Sequence, residues 1–82
     1  MVARVSGKSG GSALLASLGA EIRRERETQN LSQEALAQAA GIDRSHMGRI
    51  ERGERNVTLL NIVRIGLALQ TPPSELLDRA GM

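Results

Sequence analysis

Residues 33–52 read QEALAQAAGIDRSHMGRIER, and how this stretch divides decides the fold. Its first half, Gln33 to Ala40, is almost all alanine around Leu36, a composition that favours helix and leaves room for a second helix to approach. Gly41 then interrupts it. Glycine takes positive φ without a Cβ clash and commonly ends helices. Asp43 follows at the position of a helix N-cap, where its charge suits the positive end of the dipole. Beyond it, Met47 and Ile50 share an apolar face, with Ile42 just ahead. Ser45, Gly48, Arg49 and Arg52 recur at i, i+3, i+4 and i+7 on the other face, and Arg44 stands at the N-terminal end.

Two short helices clasped at a fixed angle through Leu36, Ala40, Ile42, Met47 and Ile50 make a helix-turn-helix. Its second helix offers a narrow ridge of small and arginine side chains. A helix fits the DNA major groove, and arginine can bridge guanine O6 and N7 with two hydrogen bonds.

The flanking sequence supplies three more helices. Ser12 is expected to cap a first helix running to about Glu27, with Leu15, Leu18 and Ile22 as its apolar stripe. Arg26 falls in the same phase, an odd position for a charge. Asn30 suits the left-handed residue that ends this helix, and Ser32 caps the second. Thr58 is expected to cap a fourth helix, apolar on more than one side. Leu59, Ile62, Val63, Gly66 and Leu69 form one stripe, and Leu60 and Leu67 lie on another. A helix apolar nearly all round is buried on both sides. Thr71 is expected to cap a fifth helix, with Pro72 at its first position and Leu76 and Leu77 within it.

The first eleven residues, MVARVSGKSGG, are Gly- and Ser-rich without periodicity and are expected to form a flexible arm carrying Arg4 and Lys8. Their GKS echoes the end of a phosphate-binding loop. That motif needs glycine five positions before Gly7, where Val2 stands, and a preceding strand, so it is rejected. The remainder, 12–82, reads as one all-α domain of five helices.

Composition narrows the function. The 82 residues include no Phe, Tyr, Trp or Cys and one histidine. Neither disulfides nor thiolate metal sites are available, and an all-protein zinc site is improbable. Catalytic residues, bound metal and cofactor are therefore all expected to be absent, and the protein is not expected to be an enzyme. Without a long apolar run or a signal-peptide pattern, a cytoplasmic location is expected and a membrane partner is not. Net charge is only +2, yet ten of the eleven basic residues are arginine, whose rigid donor fork suits phosphates and guanine edges. The alternating charges of EIRRERE, residues 21–27, read equally well as a salt-bridged helical surface.

The segments LSQEALAQAAGIDRSHMGRIERG and ERNVTLLNIVRIGLAL resemble the Cro and lambda-repressor-like (XRE-type) helix-turn-helix regulators, over about Leu18 to Leu77. Within them, DRSHMGRIERGERN looks most like the small controller proteins of restriction–modification systems. The resemblance implies a DNA-binding transcription regulator, repressor or activator, acting as a homodimer on a double-stranded, pseudo-palindromic operator. Control through protein concentration and operator occupancy is then expected. It implies base contacts from Arg44, Ser45 and Arg49, with His46 beside them as a groove-facing or partly buried residue. It implies DNA-backbone contacts from Gln33, Arg55 and Asn56. Arg52, on the same polar face, is read as a further phosphate contact. Arg26 and Glu51 match a partly buried ion pair, which would account for the charge in the apolar stripe. Val57 departs from the pattern where relatives often have proline. Gly48 departs too, since glycine weakens a recognition helix by ~1 kcal/mol; close approach to DNA is the expected reason. The dimer interface is expected to comprise Leu60, Leu67, Leu76 and Leu77, which exceed what one short chain can cover. The alternative is an antitoxin or adaptor whose helices bind a partner protein such as a toxin.

Overall fold

The computed structural model describes the backbone of residues 9–82 and the side chains from residue 12 onward. Within that span five helices follow one another: α1 (Ser9–Thr28), α2 (Gln33–Ala40), α3 (Arg44–Glu51), α4 (Leu59–Leu69) and α5 (Pro73–Arg79). The expected arm falls mostly outside the described residues, Arg4 and Lys8 included.

The helices start and stop for local reasons. Ser32 Oγ accepts the Ala35 N–H at 3.0 Å, and Thr58 Oγ1 accepts that of Asn61 at 3.1 Å. Each satisfies a donor that helix geometry leaves without a partner, an interaction typically worth ~1 kcal/mol. At the other ends a left-handed residue recurs: Asn30, Gly41, Gly53, Gln70 and Gly81 all have positive φ. After each, the next N–H reaches back five residues, from Leu31 to Arg26, Ile42 to Ala37, Glu54 to Arg49, Thr71 to Gly66 and Met82 to Leu77. This 6→1 bond satisfies a terminal carbonyl and turns the chain sharply away from the helix axis.

Two expected caps are corrected. Helix α1 begins at Ser9, so Ser12 lies inside it. Gly10 and Gly11 cost helix stability, but a helix already nucleated downstream can absorb that cost. Thr71 does not cap α5. It is buried, its hydroxyl donates to the Leu69 carbonyl at 3.2 Å, and Pro72 occupies the cap position with Pro73 first in the helix.

The core is one cluster drawn from every helix, built on Leu18, Ile22, Leu36, Met47, Ile50, Ile65, Leu69 and Leu76. The crossing of α1 over the end of α3 is unusually tight. A Cβ on Gly19 would lie 2.4 Å from the carbonyl oxygens of both Ile50 and Glu51, so only glycine fits there. Helix α5 is tied to α1 by Arg79, which pairs with Glu25 at 2.8 Å and with Glu75 at 2.6 Å. Gln29 Nε2 also donates to the Leu69 carbonyl at 2.7 Å, linking the end of α1 to the end of α4.

Helix α4 corrects the expected stripe. Its inward face is Ile62, Ile65, Gly66 and Leu69, whereas Leu59 is 75% and Val63 36% exposed. They join Leu60 and Leu67 on a continuous outer face. Leu76, expected at an interface, is fully buried in the core, and Leu77 is half-buried against it. Leu76 therefore has no surface to offer a partner. The sequence pattern failed here because apolar residues encircle α4, and only the neighbouring helices decide which of them turn inward.

Candidate nucleic-acid interface

The site is built on α3, which its own end groups and one buried network hold in place. At its start the Asp43 carboxylate accepts the N–H groups of Ser45 at 3.1 Å and His46 at 3.3 Å, and also accepts a hydrogen bond from the Ser45 hydroxyl. The Ser45 hydroxyl and these N–H groups hold the Asp43 carboxyl below the usual carboxylate range. With its proton committed to Asp43, Ser45 Oγ meets the solvent side chiefly as an acceptor.

At its end, Glu51 is the hub. Arg26 Nε donates to Glu51 Oε2 at 2.8 Å and its NH2 group to Oε1 at 3.1 Å, a two-point carboxylate fork. The side chains are 11% and 3% exposed, so the pair is largely cut off from water. The remaining NH1 of Arg26 donates to the Leu31 carbonyl at 2.9 Å, in the turn between α1 and α2. Gln33 Nε2 completes the set by donating to Glu51 Oε1 at 3.1 Å. The fork to Glu51 raises the already high Arg26 pKa, so the guanidinium stays charged under all ordinary conditions. One carboxylate thus links α1, the α1–α2 turn, the start of α2 and the end of α3. The expected Arg26–Glu51 pair is present, and it explains the charge in the apolar stripe.

The outward face of α3 presents Arg44, Ser45 and Arg49 to solvent, with His46 half-buried beside them. Gly48 departs from the expected arrangement. It is buried, and a Cβ there would lie 3.1 Å from Arg52 NH1 and 3.2 Å from Gln33 Oε1. The missing side chain makes room for these two side chains to cross the helix. Arg52 is exposed but engaged by Glu54, with Nε to Oε2 at 2.8 Å and NH2 to Oε1 at 3.3 Å. This pairing lowers the Glu54 pKa. Arg55 and Asn56 stand exposed in the loop between α3 and α4.

Beside Gln33 opens a shallow cleft of about 330 Å³, lined by Arg23, Arg26, Gln33, Glu51 and Arg52. Sequence reasoning misses both Arg23, which lines this cleft, and Glu54, the acid that holds Arg52. Arg23 stands among the alternating charges of residues 21–27, and nothing in the sequence distinguishes it from Arg24. Glu54 lies only two residues beyond Arg52, outside the helical spacing that pairs side chains.

Residues 22–76 match the helix-turn-helix family HTH_3. This chain belongs to that family, the XRE-type helix-turn-helix proteins. Among its relatives, Control protein C.SmaI of Serratia marcescens is 43% identical over 65 residues, which span 79% of this chain and 77% of that protein. Control protein C.BamHI of Bacillus amyloliquefaciens is 44% identical over 61 residues, spanning 73% and 75%. The crystal structure of the restriction–modification controller protein C.AhdI from Aeromonas hydrophila superposes with a TM-score of 0.74 at 47% identity, covering 76% of this chain and 94% of that one. Fold and relatives together support a DNA-binding transcriptional regulator. No helix among the described residues is long and apolar enough to cross a membrane.

Proposed function

We propose that this XRE-type protein is a sequence-specific regulator that binds a pseudo-palindromic operator as a homodimer and controls a restriction–modification operon. The observation that carries the reading is the exposed Arg44–Ser45–Arg49 face of α3, braced from beneath by the buried Arg26–Glu51–Gln33 network. Such bracing fixes the helix as a rigid reader, so that arginine forks meet guanine edges at a set register. Similarity to control proteins over most of the chain supports the operon assignment.

In this reading Arg44, Ser45, His46 and Arg49 contact bases, while Gln33, Arg52, Arg55 and Asn56 contact the sugar–phosphate backbone. The terminal arm adds at most phosphate contacts through Arg4 and Lys8. A second copy covers the outer face of α4, where Leu60 is 57% and Leu67 73% exposed beside Leu59 and Val63. Half-buried Leu77 contributes at the edge. A two-fold axis through that face would set two recognition helices about 34–36 Å apart.

Selection of bound sequences from a random DNA pool, followed by fluorescence anisotropy, tests the whole reading. It should enrich an inverted repeat with half-sites about one helical turn apart. Arg49→Ala should then lose ~1–3 kcal/mol at one base position and relax preference there. Arg55→Ala should weaken all duplexes alike. A pool that emerges unenriched, or an Arg49→Ala variant that loses operator and random DNA equally, overturns the base-reading assignment.

A further inference from the structure

The cleft beside Gln33 brings together side chains from α1, α2 and the end of α3. Its lining carries three arginines against one carboxylate, Glu51, whose charge the Arg26 fork already meets. The two remaining cations stand on the rim: the side chains of Arg23 and Arg52 are 63% and 57% exposed. Each is held by an equally exposed acid. Arg23 Nε lies 3.3 Å from Glu27 Oε2, and Arg52 Nε lies 2.8 Å from Glu54 Oε2. Exposed ion pairs of this kind contribute little to stability, so either arginine can exchange its partner with small loss. Arginine bonds to phosphate are charge-assisted and two-pronged, which favours that exchange.

Position gives the cleft its role. Arg52 NH1 and Gln33 Oε1 both lie over the backbone of Gly48, one helical turn beyond Ser45 and adjacent to Arg49. A phosphodiester in the cleft would therefore flank the groove that α3 enters. We propose that Arg23, on α1, is a DNA-positioning residue that closes on a single backbone phosphate opposite Arg52, and that Glu27 and Glu54 are counter-ions displaced when DNA binds. The inference rests on the operator-binding reading above and adds to it a contact from outside the helix-turn-helix, together with an acid that opposes binding.

Two variants test it from opposite directions, with circular dichroism verifying that each remains helical. Arg23→Ala should weaken operator and random duplex by the same factor. It should also lower the slope of log affinity against log salt by about 0.9, the value for one phosphate. Raising salt from 50 to 200 mM should then cost the variant roughly 3.5-fold less affinity than the wild type. Glu54→Gln should tighten both duplexes, because Arg52 loses its competitor. Inorganic phosphate, titrated with NMR detection of the Gln33 side-chain amide, distinguishes a DNA-backbone site from a site for the free anion. Shifts with duplex but none with millimolar phosphate support the proposal. Saturable binding of phosphate alone overturns it in favour of a free-anion site. An unchanged salt slope in Arg23→Ala with wild-type operator specificity overturns the clamp and leaves the operator reading standing. Failure of the wild type to bind any duplex overturns both.

Discussion

Replacing Arg26 by methionine would keep most of the side-chain volume and remove both prongs of the fork to Glu51. The carboxylate left behind is only 3% exposed and would retain a single donor, Gln33 Nε2 at 3.1 Å. Breaking one side of a buried pair typically costs ~3–5 kcal/mol, because the surviving charge stays desolvated. A domain of this size has a stability of only ~3–5 kcal/mol from its core, so Arg26→Met should be largely unfolded as a monomer. Glu51→Met should suffer similarly, since Arg26 would keep only the Leu31 carbonyl at 2.9 Å. Arg26→Met/Glu51→Met removes both charges, and what remains of the cost is the Leu31 carbonyl and the Gln33 side-chain amide, two half-buried groups that each lose one partner, together ~2–3 kcal/mol. The coupling energy should therefore be at least ~3 kcal/mol. The chain has no Trp, Tyr or Phe, so urea denaturation must be followed by helical circular dichroism rather than intrinsic fluorescence. Measurements at one fixed protein concentration remove any contribution from association, and a stabilising osmolyte can bring the single variants into range. A double variant that loses the sum of the two single losses would refute the reasoning, because two independent side chains add and a buried pair does not.

Four further outcomes are expected. Gly19→Ala should destabilise by ~1–3 kcal/mol or more, because its Cβ would meet two backbone carbonyls at 2.4 Å, whereas Gly48→Ala meets only the ends of Arg52 and Gln33. Gly48→Ala should thus gain up to ~1 kcal/mol of helix propensity while DNA affinity falls; thermal melts and anisotropy on the same samples check both halves. Leu67→Glu should leave the monomer fold intact, since Leu67 is 73% exposed, but abolish the rise of melting temperature with protein concentration and weaken operator binding sharply; an unchanged sedimentation coefficient would refute the second-copy interface. Gln29 and Arg79 lower the Glu25 pKa. A carboxylate with a depressed folded-state pKa stabilises above its unfolded pKa and loses that contribution as pH falls through the folded value. The clasp between α1 and α5 should accordingly hold through neutral and mildly acidic pH and weaken below about pH 4, where Glu25→Gln should flatten part of the fall in a melting-temperature profile.

Much of this protein was legible without coordinates because the decisive signals are local. Caps act within three residues and left-handed stops within five, so Ser32, Asn30, Gly41, Asp43 and Thr58 marked their boundaries wherever a side-chain bond or a glycine did the work. Helical periodicity likewise assigned Met47 and Ile50 to the core and Ser45, Arg49 and Arg52 to the surface, because α3 has one apolar face; it also placed on the outer face Gly48, which the structure buries. Three features needed the tertiary structure. Gln70 adopts the left-handed conformation without being glycine or asparagine, imposed by the turn that brings Thr71 under α4. In α4, apolar residues encircle the helix, so the choice between Leu59 and Ile65 for the core belongs to the packing neighbours and not to the helix itself. Close approaches and clefts also join residues far apart in sequence. Gly19 meets the end of α3, Gly48 admits Gln33, and Arg23 shares a cleft with Arg52. Sequence encodes what a residue does to its own turn of helix; which distant surface it meets is decided only when the five helices pack.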